Sequence, residues 1–167
     1  MHDFTPLDSG APRQITPTSP SDWFEVLTRA VFNAGMSWRV VQAHWAATAE
    51  AFADFDPQVV AGYDEQDVDR LLVDERLIRS RGKLAAVPDN ARTFVALAEE
   101  HNDFATWLAG LGDYDERERA LCQAFRYIGE FGAYWTQYTW RMDVPDYRDW
   151  ARARGRTLPA HLRGGDT

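Results

Sequence analysis

The sequence is short of the residues that build metal centres and covalent cross-links. It holds one cysteine, Cys122, and four histidines spread over 167 residues. A single cysteine excludes a disulfide within the chain and fits a reducing compartment. The His and Cys positions show no zinc-ligand spacing, so no metal and no cofactor is expected. No apolar run is long enough for a membrane span, and no signal-peptide core stands near the N-terminus. Both absences predict a soluble, cytoplasmic protein with no membrane partner. No stretch alternates apolar and polar residues over a useful length, which argues against a sheet. An excess of positive charge is also lacking. The net charge is −8, so a polyanion is repelled at long range and nucleic-acid binding requires a local basic patch.

What is present points to a helical core. Apolar residues make up 45% of the chain and aromatics 13%, with seven tryptophans. That is enough to bury one domain of ordinary size. Residues 1–20 carry four prolines and little periodicity, which predicts an extended or disordered arm. Residues 21–150 read as one all-α domain of about seven or eight helices. Residues 151–167 read as an Arg- and Gly-rich tail.

The organising feature is the run Ala30-Val31-Phe32-Asn33-Ala34-Gly35-Met36-Ser37-Trp38. A first helix, capped near Ser21 with Phe24, Leu27 and Val31 on its apolar stripe, stops at Gly35. A second starts at Ser37 and runs to about Ala53. Trp38 sits beside the free N–H groups of that second helix, a place suited to a flat polar ligand. A packed elbow tryptophan is the alternative. Asp56-Pro57 and Asp64 with Asp67 signal two further short helices. The run Leu77 to Leu84 is the basic stretch of the middle of the chain. Its Arg79, Arg81 and Lys83 suit phosphates or the nearby acidic side chains equally. Pro88 predicts a kink or a join near Val87. The segment Phe125-Arg126-Tyr127-Ile128-Gly129 separates two helices and reads as a helix–hairpin–helix, whose turn points backbone N–H groups outward. Glu130 follows it, where a helix N-terminus favours a carboxylate.

Several of these motifs, taken in order, resemble the type I 3-methyladenine DNA glycosylases. They are Phe24-Glu25, Ala34 to Trp38, Phe55 to Ala61, Asp67 to Leu71, Leu77 to Leu84 and Asn90-Ala91-Arg92. Arg126 to Gly129 falls where that family has its DNA-binding hairpin. The resemblance covers roughly two thirds of the chain. It implies an all-helical glycosylase fold and double-stranded DNA with a damaged base as partner. It also implies hydrolysis of the N-glycosidic bond of a flipped alkylated adenine, because the bond is out of reach inside the base stack.

The implied base pocket is Trp38, Ser37 and Phe32. The implied DNA contacts are Arg126, Tyr127, Ile128, Gly129, Arg79, Arg81 and Lys83. The family's zinc segment has no counterpart in residues 1–20 or near Val144 to Tyr147, which again implies no metal. The family places a base-recognising Glu eight residues before the motif tryptophan, and here that position is Ala30. Glu25 lies roughly 140° around the helix from it and matches a different Glu of the family; the catalytic residue is left unassigned, with Glu130 a candidate that offers a carboxylate from another direction. Two alternatives stay open. One is an inactive relative that binds DNA or a modified base. The other is a helical interaction protein with the aromatic helix after Glu130 as its contact surface.

Overall fold

The computed structural model describes residues 1–159 together with 162 and 163. These residues form nine α-helices and a short 3-10 turn, with no strand among them. The helices are α1 (Pro20–Asn33), α2 (Trp38–Ala51), α3 (Pro57–Ala61), α4 (Glu65–Leu72) and α5 (Arg81–Glu100), followed by α6 (Phe104–Ala109), α7 (Tyr114–Ala124), α8 (Glu130–Thr139) and α9 (Tyr147–Ala153). Among the described residues no helix is long and apolar enough to cross a membrane.

The first helix begins earlier than the expected cap at Ser21. Ser19 is the cap and Pro20 the first helical residue. Proline is suited to that position because the N–H it lacks would have no partner there. Asp22 closes a capping box by accepting from the Ser19 N–H at 3.1 Å, while its own N–H donates to Ser19 Oγ at 3.2 Å. Every residue from Phe24 to Phe32 is buried. A stripe of three apolar side chains therefore understates this helix. It is the central rod of the fold, packed against α2, α5, α8 and the 3-10 turn.

The second helix ends at Ala51, and Ala53, Asp54 and Phe55 follow with φ of 52°, 51° and 61°. The left-handed region costs a non-glycine residue roughly 1–2 kcal/mol. The return is burial of Phe55, which is fully enclosed and stacks on Trp45 at 5.0 Å. Pro88 lies inside the single helix α5 rather than at a join between two.

Residues 1–19 precede the first helix without regular structure and are docked on the body. Phe4 and Ile15 are buried, and the Ile15 N–H donates to the Thr139 carbonyl at 2.8 Å. The tail expected from residue 151 instead starts within α9. Arg154 and Arg156 then stack on Trp150, at 4.9 and 5.2 Å from its ring centre. The remainder of that tail, residues 160–161 and 164–167, lies outside the described residues.

Candidate functional site

Two turns face each other across a cavity. The first is the elbow between α1 and α2. Gly35 has φ +71°, and a Cβ built there meets nothing within 4 Å. Left-handed backbone, rather than crowding, is thus the reason for glycine at this turn. Ser37 then caps α2, its Oγ accepting from the Arg39 N–H at 3.3 Å.

The second turn, residues 125–129, joins α7 to α8. Phe125 and Ile128 anchor it in the core. Asn90 on α5 grips its backbone twice. The Arg126 N–H donates to Asn90 Oδ1 at 2.8 Å, and Asn90 Nδ2 donates to the Arg126 carbonyl at 3.1 Å. Tyr127 has φ 60° and packs its hydroxyl over Gly82, where any Cβ would collide with it. Asn90 is 2% exposed, and Asn90→Ala removes both part-buried bonds to the Arg126 backbone. Each backbone group that loses its partner costs ~1–3 kcal/mol. We expect a loss of about 2–4 kcal/mol in urea unfolding, with the hairpin amides losing exchange protection first.

The cavity between the turns measures about 250 Å³. That is just under the ~300–1,000 Å³ of ordinary small-molecule sites, room for one base-sized ring system. Ala30, Asn33 and Gly35 form its α1 side. Tyr127, Glu130 and Trp135 form the opposite side, with Arg156 beside them. The two helices pass each other at Gly132 of α8. A Cβ on that glycine would lie 4.0 Å from the Ala30 Cβ.

Glu130 stands at the N-terminus of α8, whose cap Gly129 supplies no side-chain hydrogen bond. Its carboxylate is 55% exposed and lies 3.8 Å from Arg154 Nε and 4.0 Å from Arg156. The cavity thus places a carboxylate opposite the methyl group of Ala30.

The expected site residues divide. The structure brings Ala30, Tyr127, Gly129 and Glu130 together around the cavity. Trp38, Ser37 and Phe32 do not line it. Trp38 is 39% exposed, with Arg39 stacked on its ring at 5.5 Å, so it stands at the surface of the elbow. Ser37 is occupied as a cap. Phe32 is a correction: it is 1% exposed and packs edge-on against Trp45, with no face left for a ligand. Ile128 is likewise core.

The basic run is corrected in part. Lys83, the single lysine of the sequence, is 6% exposed. It donates to the Phe32 carbonyl at 3.1 Å and to the Ala34 carbonyl. It therefore caps the C-terminal end of α1 instead of reaching outward, a favourable place for a cation. Burial pushes its pKa down. Arg81 pairs with Asp69 and Arg126 with Asp89. Arg79 is exposed.

Two features escaped sequence reasoning. Asn90 is one, although a polar residue within an apolar helix two positions after Pro88 was the available signal. The other is a buried polar knot on α1. Glu25, 2% exposed, accepts from Trp45 Nε1 at 3.0 Å. Arg29, 1% exposed, lies between the rings of Phe4 and Trp45 at 5.3 and 4.8 Å. Burial pushes the Arg29 pKa down to about 10, against the opposing pull of Glu25 and Asp3.

Residues 15–129 match the model of the methyladenine glycosylase family. The chain belongs to that family. The match takes in the elbow, Ala30, the basic run and the hairpin, and ends one residue before Glu130. The chain is 32% identical over 94 residues to DNA-3-methyladenine glycosylase 1 of Escherichia coli, a stretch covering 56% of this chain and 50% of that one. It is 32% identical over 85 residues to DNA-3-methyladenine glycosylase of Haemophilus influenzae, covering 51% and 46%. It thus spans about half the length of the curated relatives it matches.

Its fold is similar to a crystal structure of 3-methyladenine DNA glycosylase I, with TM-score 0.68 and 26% identity over 75% of this chain and 81% of that one. The 3-methyladenine DNA glycosylase I of Staphylococcus aureus, solved for 3-methyladenine recognition, superposes with TM-score 0.70 at 21% identity, covering 79% and 82%. The all-helical fold is therefore that of the methyladenine glycosylases, and Ala30 of α1 is the methyl wall of the cavity.

Proposed function

We propose that this chain is a cytoplasmic DNA glycosylase of base-excision repair. It binds double-stranded DNA carrying an alkylated base, turns that base out of the stack and hydrolyses its N-glycosidic bond. The observation that carries the reading is the cavity between Ala30 and Glu130, because it joins a base-sized space to the hairpin and to a carboxylate. Extrusion of the base is required for any attack on the bond. In this reading the hairpin turn Arg126 to Gly129 holds the DNA backbone, Arg79 supplies an exposed cation, and Trp38 stacks on the duplex from the surface of the elbow.

An alkylated adenine with positive charge on its ring is a good leaving group. It departs with the electron pair of the bond and becomes neutral. Positive charge then grows on the sugar, where the Glu130 carboxylate stabilises it. Water adds its oxygen to C1′ and gives its proton to Glu130. The rings of Tyr127 and Trp135 suit a cationic base in the cavity.

The test is release of free base from alkylated duplex DNA, followed by chromatography. Release, together with binding that weakens as salt rises, is the expected result. Binding without release identifies a non-catalytic relative, and neither activity leaves the helical interaction protein. Trp38→Ala should weaken binding of damaged duplex about tenfold, within the ~1–3 kcal/mol of a base–aromatic stack. A binding titration at fixed salt checks it.

A further inference from the structure

The N-terminal segment bridges the two helices that form the cavity. At one end the His2 backbone N–H donates to Glu25 Oε1 at 2.8 Å, and the His2 ring Nδ1 lies 2.6 Å from Glu25 Oε2. That end is fixed to α1. At the other end Gln14 Nε2 donates to the Tyr138 carbonyl at 2.9 Å and the Ile15 N–H to the Thr139 carbonyl at 2.8 Å. That end is fixed to α8.

Between the anchors Phe4 enters the molecule and is 4% exposed. Its ring lies 5.7 Å from that of Trp135, inclined at 54°, and meets Trp45 edge-on at 6.2 Å. Trp135 is a wall of the 250 Å³ cavity. It is also a wall of a neighbouring 390 Å³ cavity, which Ser9 to Pro12 of the same segment help to close.

We propose that Phe4 is a positioning residue that sets the Trp135 wall of the cavity. The segment is then part of the site and not an appendage to it. The proposal rests on the reading of that cavity as the base pocket only for its effect on base binding. The physical argument is one of packing. Phe4 comes from a segment with no regular structure, so its removal breaks no helix. It does open a ring-sized void behind Trp135, and partly relaxed voids let neighbouring side chains leave their single rotamer. A shift of about 1 Å in a positioned group is enough to cost roughly 100-fold in function.

The test uses the full chain labelled with 5-fluorotryptophan. The Trp135 resonance is assigned by its loss in Trp135→Phe. Phe4→Ala should shift or broaden that resonance and weaken uptake of free 3-methyladenine tenfold or more, while Phe4→Leu restores most of both. A folded Phe4→Ala chain whose Trp135 resonance stays in place overturns the proposal. If Phe4→Ala fails to fold, His2→Ala removes the ring contact to Glu25, loosens that anchor and keeps the Phe4 ring, and the same resonance decides. A wild-type chain that takes up no 3-methyladenine, yet whose Trp135 resonance responds to Phe4, retires the base-pocket reading and supports the positioning of Trp135.

Discussion

Glu118→Gln is expected to cost about 2–4 kcal/mol and to loosen α9 from the body. Glu118 is 7% exposed. Its carboxylate accepts from the Tyr114 hydroxyl at 2.6 Å, from Trp150 Nε1 at 3.1 Å and from Arg154 Nη2 at 2.7 Å. One side chain on α7 thus fastens the tryptophan of α9 and the arginine that follows it. Glutamine replaces an acceptor oxygen by an N–H donor, so one of the three donors faces another donor. Breaking a buried ion pair costs ~3–5 kcal/mol. Arg154 is 21% exposed and can turn to solvent, which lowers the figure.

The effect depends on pH with a definite sign. Burial alone raises the Glu118 pKa, but the bonds from Tyr114, Arg154 and Trp150 outweigh it and hold the group below its ordinary value of 4.5. The unfolded chain therefore binds the proton first. The stabilisation is complete above about pH 4.5 and is lost as pH falls through the folded value. The gap between wild type and variant, read by urea unfolding, should be widest near pH 7 and close in acid. A gap that is unchanged at pH 3 contradicts the charged role of Glu118.

How much of this was legible in the sequence depends on whether the cause was local. Caps and stops are local. Asp56 with Pro57, the Asp64 and Asp67 box and Gly35 are where the chain pattern places them. So is Ser37, which fixes the start of α2. Burial partners are not local. Lys83 reads as a surface cation in a basic run, and only the arrival of the α1 C-terminus 49 residues away makes it a cap. Phe32 stands in the elbow motif, yet the helix rotation turns it to Trp45.

The first helix shows the same limit in another way. Glu25 and Arg29 look like the polar face of an amphipathic helix. They are buried because the N-terminal segment and α2 cover that face with Phe4 and Trp45. A segment rich in proline and poor in periodicity gives no sign that one phenylalanine in it will dock. That Glu130 begins a helix was legible in the sequence. Its position opposite Ala30 required the packing of α8 on α1.

Glu130→Gln should lower base release by about 100–1,000-fold, the range for removing one preorganised electrostatic group from a site. The protein should remain folded, because the side chain is 55% exposed and its nearest cations lie 3.8 and 4.0 Å away. Loss of the fold in circular dichroism would make the kinetic result meaningless, so both are measured on one preparation.

The companion change is Ala30→Glu, made in the Glu130→Gln chain. Ala30 lines the same cavity from the α1 side, and a longer side chain there brings a carboxylate to the space from the opposite direction. If the reaction needs only a negative charge beside the forming sugar cation, the double variant should recover at least tenfold over Glu130→Gln alone. Placed in the wild-type chain, the same change sets two carboxylates against one small space. Each then disfavours ionisation of the other, so the gain should be smaller than in the double variant. Full activity in Glu130→Gln would place the chemistry elsewhere. A double variant that binds damaged DNA yet stays inactive would show that the direction of the carboxylate, and not its charge alone, governs the step.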